Sequence, residues 1–492
     1  MSVEEYQAPP TDLRLLPAAV VGWCGCWWVI TQSAAVGLVL TTVALITALG
    51  AGLRLARGRA GRHRREVRDR LTATVLLTGV LVTAVLGLAT VRAAERAVAV
   101  DLDAGQVTAL VRPTAEPQPL AASEHDQRYR VPARLLGIDD DQPRKVQVLM
   151  LADAGWSDVQ VGSTWWVRAR IAPTEPGDRA AALLIVHGQA QQAAAPRWRD
   201  RVVNTLRGGL VATSSLLAPQ ARGLVPGVTL GDTRAMPPQL GEDLRTVSLT
   251  HITAVSGMHV AIVLGALLLC LWWAPLWLRA GLGAMALLAF VFLVYPSGSV
   301  VRAGTMGGLL LLGLATGRPR SSIPALLAAV IVLLSADPWL ARDFGFVLSV
   351  VATGGLLALA PPIAHGMRRV CPPPMAMAAA VPAAAQLVCA PVILLLAPGL
   401  PTHGVLANVL ATPAVPPATL LGVMATLCHP FWPGGAEYLA QAASWFTAWI
   451  ATVATATANL PLATLPWPEG TSGAVLVGIA LVGAALWWRN RR

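Results

Sequence analysis

The sequence predicts an α-helical polytopic membrane protein with about twelve transmembrane helices and an inserted, extracytoplasmic small β-barrel domain of OB-like type. The chain has 492 residues, of which 55% are hydrophobic and 13% are charged, and its mean hydropathy is positive. Soluble proteins carry about 25% charged residues. Apolar runs of about 20 residues, the length that spans a bilayer, recur along the chain. One long segment of ordinary polarity follows the third run and has the alternation of β-strands.

Residues 1–91 form the predicted N-terminal transmembrane region. Leu13–Ile30 and Ala34–Leu53 read as a helical hairpin, and Leu71–Val91 reads as a third span that exits to the far side. The loop Arg54–Arg70 is rich in arginine, which places it on the cytoplasmic side. A basic loop could also bind anionic lipid or DNA, but its role as a topology anchor is the simpler interpretation.

The predicted β domain covers residues 92–195. Five runs rich in strand-forming residues are separated by turn signals, and they predict strands at Gln106–Arg112, Tyr129–Leu136, Lys145–Leu151, Thr164–Ile171 and Ala182–His187. Five short strands suit a small β-barrel, and an OB-like barrel is one option.

OB barrels often bind single strands by stacking bases on aromatic side chains in a basic groove. The candidate DNA-binding residues of this domain are Tyr129, Trp165, Trp166, Arg168 and Arg170. The alternative is that the tryptophans fill the barrel core, so the sequence leaves DNA binding by this domain open.

Residues 196–248 form a connector between the β domain and the channel domain at 249–492. Its first part, Pro196–Arg222, is amphipathic, and we expect it on the outer membrane surface or in a short helix. Apolar runs then predict spans near residues 249–272, 281–295, 303–316, 322–336, 344–361, 376–397, 404–427, 438–459 and 472–488. Several of these runs are short, so broken or re-entrant helices are the alternative to full spans.

The arginine-bearing loops agree with this count. Starting from an extracytoplasmic barrel, the loops at Arg279, Arg318–Arg320 and Arg368-Arg369 and the C-terminal Arg489–Arg492 all fall on the cytoplasmic side. The sequence therefore predicts twelve spans with both termini in the cytoplasm.

The stretch Leu249–Val263 opens an apolar run but carries His251, Ser256, Gly257 and His259. Polar groups at membrane depth are costly and survive mostly where a cavity, a partner or a pore receives them. The alternative is interhelical hydrogen bonding that holds the bundle together. The cluster as a whole favours a lined cavity.

Further polar residues gather toward the same side of the predicted bundle, as in a vestibule. The pore or gate candidates are His251, Ser256, Gly257, His259, Arg302, Asp343, Ser349 and Asn408. Gln386 and His403 are polar neighbours within the apolar runs, and Asp337 and Asp343 could instead cap short helices.

The motif HITAVSGMHV at 251–260 resembles the signature of the ComEC family, the inner-membrane channels that take up single-stranded DNA in bacterial natural transformation. Further matching positions follow in the same order across about residues 225–420. They are Gly231-Asp232, Arg302-Ala303, Met306, Asp337-Pro338, Asp343–Phe346, Leu348-Ser349, Asn408 and Pro413. The resemblance implies a multi-pass protein of the bacterial cytoplasmic membrane that conducts single-stranded DNA.

The sequence departs from the family pattern at three positions. Met258 stands where the signature usually has Leu, Val347 where the family usually has Gln, and Val350 where it usually has Phe. Many relatives continue into a metallo-β-lactamase-like domain, thought to be a nuclease, whose metal cluster needs an H-x-H-x-D-H type motif. The eight histidines here include no H-x-H pair, so we expect a form without that domain. We expect no enzymatic activity, no catalytic residues, no metal ligands and no cofactor.

Partners follow from what the chain lacks. Its sole lysine, Lys145, stands in R-K-V rather than in the G-K-[ST] of a P-loop, so no motor motif is present. The resemblance then implies membrane lipids, a separate DNA receptor, a cytoplasmic ATPase or strand-binding protein and a separate nuclease as partners. We expect His251 and His259 to act as donors near a constriction, and Arg302 to contact phosphate. Asp343 would pair with Arg302 or Arg342.

Three other interpretations stay open. The chain could be a transporter or flippase of another anionic substrate, which shares the vestibule but not the cargo, or a degenerate relative that transports nothing. Ser256 and His259 could also belong to an intramembrane serine hydrolase, although their spacing on one helix is poor for nucleophilic attack. Labelling of Ser256 by a serine-reactive probe would identify a hydrolase, and loss of transformation on deletion of the gene would identify the DNA channel.

Overall fold

The computed structural model describes residues 12–56, 62–100, 105–120, 128–138, 146–188, 190–295, 297–316, 322–397 and 399–490. Lys145, Arg318, Arg320 and part of the basic loop 54–70 lie outside the described residues, as do Arg491 and Arg492. The chain divides into two compact units. The first comprises Met1–Asn204 with Pro319–Asp343, and the second comprises Thr205–Arg318 with Phe344–Arg492.

Helices account for most of the described residues. In chain order they are α1 (Leu16–Val29), α2 (Ala34–Ala56), α3 (Arg62–Val100), α4 (Trp198–Ser215), α5 (Pro219–Leu230), α6 (Pro238–Thr246), α7 (Thr250–Thr253), α8 (Gly257–Cys270), α9 (Leu276–Val294), α10 (Gly298–Ala315), α11 (Ser322–Ala336), α12 (Phe344–Met367), α13 (Pro373–Ile393), α14 (Gly404–Ala411), α15 (Val415–Cys428), α16 (Pro433–Ala458) and α17 (Gly470–Asn490). Several begin with proline in the first turn, where its missing N–H leaves no helical hydrogen bond unmade.

Within the described residues, seven helical segments are long and apolar enough to cross a membrane. They are Ala34–Arg54, Leu71–Arg96, Leu276–Val294, Gly298–Ala315, Phe344–Met367, Pro373–Ile393 and Gly404–Cys428. Four shorter apolar helices are Leu16–Val29, Gly257–Cys270, Ser322–Ala336 and Gly470–Leu481. The predicted polytopic helical architecture is therefore confirmed, and every predicted span corresponds to a helix or a broken helix. The number of twelve crossings stays a prediction, because α16 is long enough but is not among the helices that are also apolar enough to cross a membrane.

In the first unit, α1, α2 and α3 pack through small residues. A Cβ at Gly79 of α3 would lie 2.8 Å from the Cβ of Ala48 in α2, and one at Gly25 of α1 would lie 2.5 Å from a methyl group of Leu86 in α3. Membrane helices commonly approach one another through such small residues, since lipid and side chain are equally apolar and close packing supplies the attraction.

The β domain is a closed barrel. Its strands are β1 (Gln106–Pro113), β2 (Gln118–Pro119), β3 (Tyr129–Ile138), β4 (Val146–Ala152), β5 (Thr164–Pro173), β6 (Ala182–Val186) and β7 (Gln191–Ala194). The ring runs β1-β3-β4-β6-β5 and closes because β1 also pairs with β5. The β4–β6 pair is parallel and the other ring pairs are antiparallel. All five predicted strands are confirmed, and the strand order fits an OB-type barrel.

The barrel closes over an apolar core because alternate residues of each strand point inward. The core includes Val111, Val131, Leu135, Met150 and Leu184, all fully or almost fully buried.

The loop between β5 and β6, residues 174–181, is fastened to helices of the same unit. Arg96 of α3 donates to Thr174 Oγ1 at 3.1 Å and to the carbonyls of residues 175 and 180 at 2.9 and 3.1 Å. Arg179 forms an ion pair of 2.8 Å with Asp337, which follows α11. Asp337 also accepts from the N–H of Trp339 and so caps the 3₁₀ helix Pro338–Arg342, as its position after α11 suggested.

The second unit contains a bundle and a helical layer. In the bundle, α8, α9 and α10 share one apolar cluster that includes Val255, Leu264, Phe290 and Val300. The layer comprises α5, α6 and α7 with α14, α15 and α16. The two halves meet in a buried cluster of leucine, valine, isoleucine and alanine side chains that includes Ile252, Ala411 and Ala454. Two short strands, β8 (Leu400–Pro401) and β9 (Thr464–Leu465), pair beside this layer.

Candidate functional site

The predicted span near 249–272 is wrong in its first part, because the structure breaks it into α7 and α8. Ala254 and Ser256 have extended backbone dihedral angles between the two helices. Gly257 then begins α8, with Ser256 as the N-cap. Serine favours this position because it can satisfy the free N–H groups of the first turn. The polar residues of the signature are therefore placed at the open start of a helix.

Ser256 and His259 contact each other in the first turn of α8. The Ser256 N–H donates to Nδ1 of His259 at 3.2 Å, and Ser256 Oγ lies 3.4 Å from the same nitrogen. Because Nδ1 accepts, the proton of the neutral ring is on Nε2. His259 has 0% exposure, and Nε2 makes no hydrogen bond among the described residues, although the backbone of Ile252 interacts electrostatically with the ring. The Nε2–H group is therefore buried and lies near the backbone of Ile252, with no hydrogen bond of the usual geometry among the described residues.

Arg302 lies beside this helix start. Ser297 caps α10 by accepting from the N–H of Val300, and Ser299 Oγ donates to the carbonyl oxygen of Val255 at 3.1 Å. These bonds place the first turns of α10 against the segment between α7 and α8. A Cβ at Gly257 would lie 3.3 Å from Nη2 of Arg302, so glycine leaves space for the guanidinium.

The Arg302 guanidinium is buried without a counter-charge from its own unit. Its side chain is 4% exposed. Nη1 lies 3.1 Å from both Thr353 Oγ1 and Met306 Sδ, and Nε makes no hydrogen bond. Among the described residues of its unit, Arg302 forms no ion pair with a carboxylate. Thr353 donates to the carbonyl oxygen of Ser349 at 2.7 Å, so Ser349 belongs to the same group.

The remaining pore candidates make other hydrogen bonds, although His251 is close enough to His259 for the two rings to interact electrostatically. His251 is exposed, and its Nδ1 donates to the carbonyl of Ser248 at 3.0 Å, which stabilises the turn between α6 and α7. Asn408 is half-buried in α14 and donates to the carbonyl of Gly404 at 2.8 Å. Asp343 belongs to the first unit, where it ends the 3₁₀ helix, and its predicted pairing with Arg302 stays a prediction.

In the barrel, some side chains of the DNA-binding candidates pack against the core and others lie on the outer surface. Tyr129 and Trp165 pack against the barrel core. Trp165 also donates to Ser163 Oγ at 2.7 Å, and its ring centroid lies 5.7 Å from that of Trp156. For Trp165, which is half-buried, these contacts fit the core-filling alternative, and DNA binding by this residue stays a prediction. Alternation along β5 instead puts Trp166, Arg168 and Arg170 on the outer surface, where both arginines are exposed.

The sequence analysis missed three arginines on that outer surface. Arg112 of β1 pairs in register with Arg134 of β3, and Arg130 lies on the same face of β3. The described strands contain no acidic residue. We call Arg112, Arg130, Arg134, Arg168 and Arg170 the basic face of the barrel. The alternation signal was present in the sequence, but the strand register that brings Arg112 and Arg134 together was not.

Two further buried charges, Arg207 and Asp232, lie in segments that the sequence analysis named without giving these residues a role. Arg207 of α4 is buried and donates to the carbonyls of Leu230 and Leu293 at 3.1 and 2.9 Å, so it joins α4, α5 and α9. Its guanidinium lies 4.4 Å from the ring centroid of Tyr295. Asp232, which follows α5, forms an ion pair of 2.6 Å with Arg234.

The pKa of Asp232 is shifted by opposing causes. Burial by itself would raise the pKa of this carboxyl, but the hydrogen bonds and charge of Arg234, together with the charge of Arg207, outweigh burial. The pKa of Asp232 therefore lies below its ordinary value of 3.8. The carboxylate stays ionised at neutral pH although it is buried.

Comparison with known proteins places residues 228–492 in the family model described as Competence protein. ComE operon protein 3 of Bacillus subtilis (strain 168) is 31% identical over 165 residues, which covers 32% of this chain and 20% of that relative. The aligned part thus spans a fifth of the relative's length. No solved structure matches the chain. The family model covers more than half of the 492 residues and includes α8, Arg302 and Asn408, so the chain belongs to the competence protein family.

Proposed function

We propose that this protein acts in DNA uptake during natural transformation, as a channel that conducts single-stranded DNA across the bacterial cytoplasmic membrane. The observation that carries the proposal is Arg302, a buried guanidinium without a carboxylate partner in its unit. A charged side chain in a membrane helix costs up to about 2.5–3.5 kcal/mol on insertion scales, which is the value for the helix centre, and Arg302 lies in the second turn of α10. Such a cost is retained where the charge has a function, and the phosphodiester anion is the counter-charge that DNA would bring.

The neighbours of Arg302 suit a phosphate. Gly257 removes the side chain that would otherwise cover Nη2, and the protonated Nε2 of the buried His259 is a neutral donor nearby in sequence on the same helix start. Arginine binds phosphate through two parallel N–H groups, and such phosphate contacts do not depend on the base sequence. Contacts of this kind suit a channel that passes DNA of any sequence.

The basic face of the barrel supports the same function as a first contact for DNA. Like charges directly opposite each other on a sheet are destabilising, and Arg112 faces Arg134 in register. An anionic strand lying across β5, β1 and β3 would relieve this repulsion. We propose that Trp166, Arg168 and Arg170 act there together with the three arginines that the sequence analysis missed.

Conduction needs partners. A membrane potential that is negative inside opposes the entry of each phosphate by roughly 2.3 kcal/mol per 100 mV. We therefore propose a cytoplasmic ATPase or strand-binding protein that pulls the strand, a separate DNA receptor and a separate nuclease. We also propose a multi-pass arrangement in the cytoplasmic membrane with both termini in the cytoplasm.

We propose that the protein has no enzymatic activity. In the serine hydrolase interpretation, His259 would take the proton of Ser256 Oγ. Its Nδ1 instead accepts from the Ser256 backbone N–H, and the hydroxyl lies 3.4 Å from that nitrogen, beyond the usual range of an O–H hydrogen bond. A transporter of another anionic substrate would use the same cationic groups, so the cargo has to be identified by uptake.

The test is uptake of labelled DNA by cells that carry Arg302→Gln in place of the native protein. Losing a charge-assisted contact costs about 1.5–3 kcal/mol, so we expect uptake to fall at least about tenfold. Arg245→Gln is the matched control, because Arg245 is exposed and pairs with Glu242 in the same unit. Full uptake by a His259→Ala, Arg302→Ala double variant that is present in the membrane at normal level would overturn the proposal.

A further inference from the structure

The helix α16 has two different faces. The buried face is lined by small residues, among them Ala436, Ala440, Ala443, Ala451 and Ala454. The opposite face carries Tyr438, Trp445 and Trp449, which are 78%, 68% and 51% exposed. The helix has 26 residues, about 39 Å at 1.5 Å per residue, so it is long enough to span a bilayer. It is nevertheless absent from the candidate spans found among the described residues.

The beginning of α16 lies at one end of the bundle. We call this the Ser256 end, where α8 begins, α9 ends and α10 begins. Ala436 and Ala440 share a buried cluster with Leu293, at the last turn of α9. Arg207 of α4 donates to the carbonyl of the same Leu293. Two residues further along α4, a Cβ at Gly209 would lie 2.5 Å from Nδ1 of His429, which precedes α16 in the chain.

The other end of α16 lies at the Ser256 end as well. Thr455 donates to Asp243 of α6 at 2.7 Å, and Ala454 shares a buried cluster with Ile252, which precedes Ser256 in the chain. The following strand β9 pairs with β8, whose Pro401 accepts a hydrogen bond from Gln386 in the second half of α13. That part of α13 is level with the beginning of α12, since Cys389 contacts the carbonyl of Leu348.

Both ends of the α14–α15 segment also lie at the Ser256 end. A Cβ at Gly404 would lie 2.9 Å from Oε1 of Gln386 and 3.4 Å from the carbonyl oxygen of Val247. Near its other end, Gly422 lies against Thr229 of α5, and Val423 packs on the cluster of α8, α9 and α10. A helix that crosses a bilayer has its ends on opposite sides, whereas both segments begin and end at the Ser256 end.

We propose that α16 does not cross the membrane but lies in the membrane–water interface at the Ser256 end, with Tyr438, Trp445 and Trp449 among the lipid headgroups. Tyr and Trp are enriched at this depth because their rings are apolar and their O–H and N–H groups are polar. The protein side of the helix is filled by its alanine face. On the aromatic face, Trp449 donates its N–H to the carbonyl of Leu410 in α14 at 2.9 Å, and the exposed rings of Tyr438 and Trp445 remain for lipid. The α14–α15 segment lies beside α16 and does not cross the membrane either. The predicted number of crossings therefore falls by two, which leaves the C-terminus on the same side of the membrane.

Depth measurement tests this placement. Trp445 is at the middle of α16, so a crossing helix would put it at the bilayer centre. A Trp445→Cys variant of the full chain, with the six native cysteines replaced, is labelled with an environment-sensitive fluorophore and reconstituted in phosphatidylcholine–phosphatidylglycerol vesicles. We expect lipids with a headgroup nitroxide to quench it more than lipids with a mid-chain nitroxide. Met285→Cys, exposed at the middle of α9, is the matched control and should show the opposite order.

Stronger quenching of the Trp445→Cys label by the mid-chain nitroxide would overturn the proposal. No quenching by either lipid would do so too, since it would mean that solvent, DNA or a second copy of the chain covers this face.

Sidedness gives an independent check in intact cells. Phe431, in the turn before α16, Leu216, between α4 and α5, and Val370, between α12 and α13, are all highly exposed. Leu216 is next to Leu217, which shares the buried cluster of Leu293 at the Ser256 end, and Val370 is at the opposite end, where α12 ends and α13 begins. With an impermeant maleimide, Phe431→Cys should label on the same side as Leu216→Cys. Labelling on the side of Val370→Cys would show that α14–α15 crosses after all.

Discussion

The Nη1 atom of Arg302 in α10 lies 3.1 Å from Oγ1 of Thr353 in α12, and the Thr353 hydroxyl donates in turn to the carbonyl oxygen of Ser349. Because that hydroxyl proton is committed to Ser349, its lone pair faces the guanidinium. The geometry fixes the direction in which the cation points. The two helices are therefore joined through a buried charge.

Replacing Thr353 with Val should weaken this arrangement. The substitution keeps the shape but removes the acceptor, and a lost hydrogen bond to a charged group costs about 1.5–3 kcal/mol. We expect a lower melting temperature in detergent and lower DNA uptake. Thr353→Ser keeps the hydroxyl and should retain most of both. Equal behaviour of the Val and Ser variants would show that the hydroxyl does not hold the guanidinium.

Gly257→Ala tests the space beside Arg302. The new Cβ would lie 3.3 Å from Nη2, closer than most Cβ contacts, so the guanidinium must shift. We expect DNA uptake to fall several-fold while the protein still inserts. Gly265→Ala in the same helix is the matched control, because open space surrounds that position and alanine favours the helix by about 1 kcal/mol. If cells that carry either variant take up DNA equally, the close approach of the Arg302 guanidinium to Gly257 is not needed for uptake.

The basic face of the barrel predicts a salt-dependent affinity for single-stranded DNA. Each phosphate contact adds about −0.7 to the slope of log K against log salt concentration for single strands. The Arg112→Gln, Arg134→Gln double variant of the purified full chain should bind an oligonucleotide more weakly and with a slope shallower by about 1.4. Arg199→Gln, an exposed arginine of α4, should leave both unchanged. An unchanged slope in the double variant would place the DNA elsewhere.

The ion pair of Arg179 and Asp337 should contribute little to stability. Its side chains are 42% and 23% exposed, and such pairs are worth about 0.2–1 kcal/mol because water screens them. A double-mutant cycle with Arg179→Ala and Asp337→Ala, read by thermal unfolding in detergent, should give a coupling energy in that range. Asp337→Ala alone should cost more than Arg179→Ala, since it also removes the cap of the 3₁₀ helix.

Asp232 predicts a pH dependence in the acid range. Its pKa is lower in the folded protein than in the unfolded chain, so the carboxylate stabilises the fold above pH 3.8, and this stability is lost as the pH falls through the folded pKa. The Asp232→Asn variant should have a melting temperature that changes less between pH 5 and acid than that of the native protein. An identical acid profile in the two proteins would remove Asp232 as the cause.

Much of the fold was predictable because the period of the hydrophobic pattern and the length of each apolar run are local properties of a sequence. The five ring strands follow from alternation between turn residues, and the helices follow from apolar runs. The break before α8 was harder to predict, since Ser256 and Gly257 are tolerated inside membrane helices as well as at their start. Only the N-cap geometry distinguishes these cases.

The candidate site was predictable in part. Ser256, Gly257, His259 and Arg302 stood out as polar or flexible residues in apolar runs, but Thr353 did not, because a threonine in a membrane helix usually bonds its own backbone. Arg207 looked like one of several arginines on an amphipathic helix. Its burial depends on carbonyls of α5 and α9 that lie far along the chain.

The closure of the barrel has a consequence for biosynthesis. β1 obtains its second neighbour only when β5 arrives, and β4 obtains its parallel partner only with β6, which is the last strand of the ring in the chain. Pairing between strands that are distant in sequence is slow to form. While the chain emerges, α1–α3 precede an open sheet whose edges are unpaired and prone to association. We therefore expect the ring to close late, when β6 has emerged, and a chain cut before β6 to aggregate although its first helices are already formed.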